Sequence, residues 1–115
     1  PEQLFIADSF NGKIKRVAVV NRTISTVGQS AILLRQPVDL GLDPTGNLWI
    51  ADVTTSSILR LNPTTQILTR IAGNGSFGFA GDNGNASEAV LSQPAGICVD
   101  GAGNVLVADQ FNHRI

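Results

Sequence analysis

Pro94-Ala95-Gly96-Ile97-Cys98-Val99-Asp100-Gly101-Ala102-Gly103-Asn104-Val105-Leu106-Val107-Ala108-Asp109-Gln110-Phe111-Asn112-His113-Arg114-Ile115 is the stretch that decides the fold, because most of it is written again upstream. Its first half aligns without a gap on Pro37-Val38-Asp39-Leu40-Gly41-Leu42-Asp43-Pro44-Thr45-Gly46-Asn47. Its second half, an apolar run closed by Ala-Asp, recurs as Leu48-Trp49-Ile50-Ala51-Asp52 and as Leu4-Phe5-Ile6-Ala7-Asp8. Each Asp is followed six residues later by an isoleucine, at Ile14, Ile58 and Ile115. A third block follows: Arg16-Val17 through Gly28 parallels Arg60-Leu61 through Gly73. The Ala-Asp pairs are 52 − 8 = 44 and 109 − 52 = 57 residues apart, and the extra length lies in a Gly-rich stretch over 73–93. Self-similarity at this period marks a repeat architecture.

Each unit reads as four short strands. The first is Val38–Leu42 or Ala95–Val99, and Asp43–Asn47 or Asp100–Asn104 turns it, with Gly and Asn able to take positive φ. The apolar run is the second strand, and its lack of alternation predicts burial on both faces. The third begins at Ile14 or Ile58. Asn21-Arg22 or Pro63-Thr64-Thr65 leads into a fourth carrying Ile24 and Val27, or Leu68 and Ile71. No helical period is sustained, and one helical turn is expected at Ser87–Leu91 with Ser87 as N-cap.

Four strands per unit of roughly 40–50 residues is the pattern of β-propeller blades. The sequence of the third copy, closing on Asn112-His113-Arg114-Ile115, resembles the NHL repeat. Ile71-Ala72-Gly73-Asn74-Gly75, Phe79-Ala80-Gly81-Asp82-Asn83-Gly84 and Leu91 to Pro94 are similar to a long inter-blade loop of that family. The second copy departs from it at Thr54-Thr55-Ser56-Ser57, and Asn85 stands where the loop usually has proline. The resemblance implies an all-β fold of four-stranded antiparallel blades in a partial ring, from a propeller that usually has six. The expected division is the end of one blade over 1–28, a full blade over 37–72, the long loop over 73–93 and the start of another blade over 94–115. Some two and a half blades without a methionine read as a window on a longer polypeptide. A self-assembling fragment is the rival, and it would leave ragged, duplicated blades.

Composition bounds the function. Hydrophobic residues make up 43% and charged residues 15% of the 115, with a formal net charge of −1, so no basic footprint for nucleic acid or an anionic membrane exists. No apolar run is long enough to span a membrane. Cys98, the single cysteine, reads as a buried small hydrophobe. Gly73-Asn74-Gly75-Ser76-Phe77-Gly78 matches G-x-G-x-x-G, but neither a helix nor a lysine-bearing strand follows it, so nucleotide binding is not expected. The segment beginning Asp82-Asn83-Gly84-Asn85 fails as a calcium loop, because Gln93 stands where the closing carboxylate belongs. His113, the only histidine, has no partner at metal-ligand spacing and reads as a turn residue. Asp8, Asp52 and Asp109 recur in every unit, which suits structural turn residues whose carboxylates accept N–H bonds from the following turn. No catalytic, metal or cofactor residue is assigned.

Three N-glycosylation sequons begin at Asn21, Asn74 and Asn85, all on expected turns or loops. They favour a secreted or cell-surface glycoprotein. Propeller topology puts the second-to-third-strand turns and the inter-blade connectors on one face, where Phe10, Asn11, Phe77, Phe79, Phe111 and His113 are the candidate partner-binding residues. The resulting expectation is a non-enzymatic interaction or scaffold module, its partners being other proteins or the remaining blades of its own polypeptide. Two alternatives stand beside it. One is part of a lyase- or lactonase-type propeller enzyme with its active site elsewhere, and the other is an RNA-binding NHL domain.

Overall fold

The computed structural model describes residues 3–28, 34–76, 78 and 80–115. The chain is all-β, built of three antiparallel sheets that form an open array. The first holds β1 (Gln3–Asp8), β2 (Lys13–Ala18) and β3 (Thr23–Val27) in that order. The second runs β4 (Pro37–Leu42), β5 (Leu48–Asp52), β6 (Ser57–Leu61) and β7 (Leu68–Ala72). The third pairs β8 (Pro94–Val99) with β9 (Val105–Asp109). By the internal repeat, β1–β3 are the counterparts of β5–β7, and β8–β9 are those of β4–β5.

The hairpins form where turn chemistry dictates. In the β4–β5 turn, Asp43 Oδ1 accepts the backbone N–H groups of Thr45 and Asn47, each at 3.0 Å. Asp100 does the same for Ala102 and Asn104 in the β8–β9 turn, at 2.9 and 2.8 Å. Gly46 and Gly103 supply the left-handed φ of +90° and +86° that closes these turns. β4 and β8, the first strands of their sheets, also carry a register shift at one repeat position, between Pro37 and Asp39 and between Pro94 and Gly96. There Asp39 Oδ2 accepts the backbone N–H of Ile97 at 2.9 Å and ties β4 to β8 of the next sheet.

Two cores lie between the sheets. Ile14, Val27, Leu34, Leu48, Ile50, Leu59 and Leu61 fill the space between the first and second, with Phe5 and Leu40 against them. Ala51, Ile58 and Ile97 lie between the second and third, packed by Trp49, Leu91, Val105 and Val107. Alternate residues of β5 therefore serve opposite cores, and each large aliphatic so buried contributes about 1.5–3 kcal/mol.

Three expectations are corrected here. Burial on both faces holds for β5, whereas Leu4 and Ile6 of β1 are 55% and 38% exposed and Leu106 of β9 is 44% exposed. These side chains are only partly covered by the described residues. Cys98 is exposed as well, and is not the buried small hydrophobe expected. The helical turn is a 3-10 turn over Ala86–Glu88, capped at Asn85 without a side-chain bond, so Ser87 lies inside it and does not cap it.

Candidate functional site

The turns after β1, β5 and β9 share one backbone design. A 3-10 turn follows β1 (Ser9–Asn11) and β9 (Gln110–Asn112), and each ends in a left-handed residue, Gly12 at φ +62° and His113 at φ +54°. Ser56, at φ +48°, holds the same place after β5. A left-handed conformation strains most side chains, so the repeat demands a backbone state here while leaving the side chain open. His113 meets that demand with its N–H donating to Gln110 O at 3.2 Å, as Gly12 donates to Ser9 O.

The three repeated aspartates sit behind these turns with different partners. Asp52 is wholly buried. Its Oδ2 accepts the backbone N–H groups of Arg35 at 2.7 Å and Gln36 at 2.9 Å, from the connector entering the second sheet. Its Oδ1 accepts those of Thr54 and Thr55, at 3.1 and 3.0 Å, from the turn that follows. Asp109 accepts the Ser92 N–H from its connector at 2.7 Å, and the Asn112 side-chain amide at 2.6 Å. Asp8 takes the Asn11 side-chain amide on both oxygens at 3.0 Å. The expected acceptance of backbone N–H groups from the following turn therefore holds for Asp52 alone. After Asp8 and Asp109 an asparagine amide takes that place, because Asn11 and Asn112 stand where the second copy has Thr55.

Connectors and turns meet on one face. Asn112 donates to Gly78 O at 2.6 Å as well as to Asp109. The Gln93 N–H donates to the buried Ser56 hydroxyl at 3.2 Å, and the Phe111 N–H to Ser92 O at 3.2 Å. Within the 73–93 connector, Ala80 bridges Val90, and Gly73 N–H reaches Ala86 O at 3.3 Å. Gly73 is fixed by its surroundings: a Cβ there would collide with the Ser56 carbonyl oxygen. An exposed ion pair, Arg114 to Asp82 at 3.7 Å, adds little to this frame.

On this face Phe10 is 93% exposed and Phe111 57% exposed, at equivalent positions of two repeats. Asn11 is exposed beside Phe10, with its amide committed to Asp8, and His113 is exposed beside Asn112. Phe77 and Phe79 lie outside the described residues. Asn21, Asn74 and Asn85 are all exposed. Asn21 Oδ1 accepts the hydroxyl of Thr23, the third residue of its sequon, at 2.8 Å. Among the described residues no group of three or more His, Cys, Asp or Glu side chains could hold a metal ion, and no helix is long and apolar enough to cross a membrane. Sequence reasoning passed over Asp39, Ser56 and Asn112, which join neighbouring units. The only signal for Asp39 was that it aligns with a glycine, Gly96.

On the opposite edge, Trp49 Nε1 donates to Asp43 Oδ2 at 3.0 Å, and the Arg60 guanidinium lies 5.8 Å from the indole centroid. Desolvation works against a charged Asp43, but hydrogen bonds from Trp49, Thr45 and Asn47 outweigh it and hold the carboxyl far below the usual carboxylate range. Asp100 is lowered as well, chiefly by the Asn104 side chain and backbone.

Comparison with known proteins places this geometry. The NHL repeat pattern matches residues 91–115. Protein Suppressor of Quenching 1, chloroplastic, from Arabidopsis thaliana is 32% identical over 84 residues, covering 73% of this chain and 8% of that protein. A crystal structure of a structural-genomics protein of unknown function from Bacteroides thetaiotaomicron superposes with a TM-score of 0.79 at 17% identity, over 97% of this chain and 31% of that one. This chain thus spans a small part of the curated relative and about a third of the solved structure. Repeat, sheet topology and sequence match agree: residues 91–115 carry an NHL repeat, and the chain folds as antiparallel blades of the β-propeller type.

Proposed function

We propose that this NHL segment is a non-enzymatic protein-interaction module whose contact surface is the face built by the turns after β1 and β9 and by the connectors. The observation that carries the reading is the exposure of Phe10 and Phe111 at equivalent repeat positions, on turns held by Asp8–Asn11 and Asp109–Asn112 hydrogen bonds. An exposed aromatic on a pinned turn loses little conformational freedom on binding, which makes it an effective anchor. His113 and Asn11 supply polar edges to the same turns.

The test uses the full-length protein with a photo-crosslinker at position 111, and at Thr45 on the opposite edge as control. Crosslinking to a discrete partner from position 111 but not 45, abolished by Phe10→Ala, supports the reading. Equal capture from both positions, or capture indifferent to Phe10→Ala, overturns it. A secreted or cell-surface glycoprotein is the finer form of this proposal and draws on the three exposed sequons. Loss of mass on N-glycan removal from the native protein supports that form, and an unchanged mass removes it.

A further inference from the structure

Three Asn-Gly steps occur in the chain: Asn11-Gly12, Asn74-Gly75 and Asn83-Gly84. An asparagine before glycine is prone to an intramolecular reaction, because no side chain shields the glycine nitrogen from the preceding side-chain amide carbon. The structure separates the three steps. Gly12 N–H is committed to Ser9 O at 3.2 Å, and the Asn11 amide donates to both oxygens of Asp8. Gly84 N–H is committed to Gly81 O at 2.9 Å. Gly75 N–H, by contrast, donates to no group among the described residues. Asn74, Gly75 and Ser76 are all exposed, and the space beside the Gly75 Cα is open, with only the Thr55 carbonyl oxygen near it at 4.0 Å. Asn74 Oδ1 accepts the Ser76 N–H at 2.9 Å, which polarises the amide carbon toward attack.

We propose that Asn74 is a spontaneous deamidation site and the first of the three to react. The Gly75 backbone nitrogen loses its proton to solvent base and bonds to Asn74 Cγ. The Cγ–Nδ2 bond breaks, and the amide nitrogen leaves as ammonia with a proton from solvent. Water then opens the cyclic imide at either carbonyl, leaving aspartate or isoaspartate at position 74. The product adds a negative charge to the turn-and-connector face and destroys the Asn74-Gly75-Ser76 sequon. Gly73 stays pinned by Ser56 and Ala86, so the change is confined to the exposed segment after it. This inference is independent of whether the face binds a partner.

The protein is made in a host without N-glycosylation and incubated at mildly alkaline pH, both folded and in strong denaturant. Peptide mapping follows the replacement of NH2 by OH, and isoaspartyl methyltransferase labelling locates isoaspartate. In the folded protein Asn74 converts about tenfold or more ahead of Asn11 and Asn83, the factor one net hydrogen bond on the competing glycine amides supplies. In denaturant the three rates converge. Asn74→Gln removes the early isoaspartate signal and leaves the slow ones. Conversion of Asn11 or Asn83 as fast as Asn74 in the folded state overturns the proposal, as does an early signal that survives Asn74→Gln.

Discussion

Asp8, Asp52 and Asp109 occupy one repeat position, so the same substitution made three times measures what each neighbourhood asks of the carboxylate. Asp52→Ala orphans four backbone N–H groups at once, those of Arg35, Gln36, Thr54 and Thr55. A buried donor left without a partner costs about 1–3 kcal/mol. Thr54 is exposed, so water can rescue part of the following turn. The connector donors sit against a carboxylate with no exposure, and with Thr54 left to water the other three donors still total about 3 kcal/mol at the low end. Asp52→Asn fares little better, because its NH2 turns a donor toward one pair of N–H groups. Asp109→Ala removes one backbone and one side-chain bond, for about 2–3 kcal/mol. Among the described residues Asp8→Ala frees only the exposed Asn11 amide, and it stays within about 0.5–1 kcal/mol. Urea unfolding of the three alanine variants in the same parent protein reads the series directly as shifts in midpoint. Equal losses at all three positions would refute the reasoning, since they would mean that the repeat position itself, and not its hydrogen-bond partners, sets the stability.

Gly73→Ala puts a Cβ onto the Ser56 carbonyl at φ +83°, and a loss above about 3 kcal/mol by urea unfolding is expected; a neutral result would show that the connector moves freely. Trp49→Phe removes the indole donor to Asp43 and weakens the stacking of Arg60, for about 1–2 kcal/mol in the same assay. Asp43 contributes through a lowered folded pKa, so its stabilisation is present above the ordinary value of 3.8 and is lost as pH falls through the folded value. Asp43→Asn is therefore less stable than the parent at neutral pH, and the gap narrows on acidification below pH 3.8; a gap that widens in acid would contradict the sign. Phe10→Ala and Phe111→Ala stay within about 0.5 kcal/mol of the parent, and a larger loss would mean that these rings are packing elements and not free anchors.

The strands, their order and the two hairpin designs were legible because each was written more than once, and alignment of the copies supplied what a single copy leaves ambiguous. Cover was not legible. An apolar run reports that a strand is able to be buried, while the burying surface belongs to the neighbouring sheet. Leu48 and Ile50 are 1% and 0% exposed, while Leu4 and Ile6 in the same run positions are 55% and 38% exposed. Cys98 belongs with these, since its place in a strand says nothing about the far side of the sheet. The aspartates were legible as turn residues but their partners were not. Arg35 and Gln36 reach Asp52 across 17 and 16 residues, a distance that no local rule covers.

The left-handed position after each Ala-Asp strand shows why variation on this face carries information. Gly12, Ser56 and His113 adopt nearly the same backbone at φ +62°, +48° and +54°, although a serine or a histidine there is strained relative to glycine. A fold that needed only the turn would be best served by glycine at all three places. Ser56 offsets its strain by turning a buried hydroxyl toward the Gln93 N–H and so fastening the next connector. His113 is exposed, and among the described residues the hydrogen bond that holds it is made by its backbone N–H and not by its ring. The strain there is not repaid by packing of the side chain inside this segment. It falls between Asn112, which locks the turn, and the Arg114–Asp82 pair, on the same turn as the exposed Phe111. His113→Gly separates the two roles: it should hold or raise stability by up to about 1 kcal/mol while weakening capture through position 111. A loss of stability instead would place the imidazole in the frame of the fold and remove it from the contact surface.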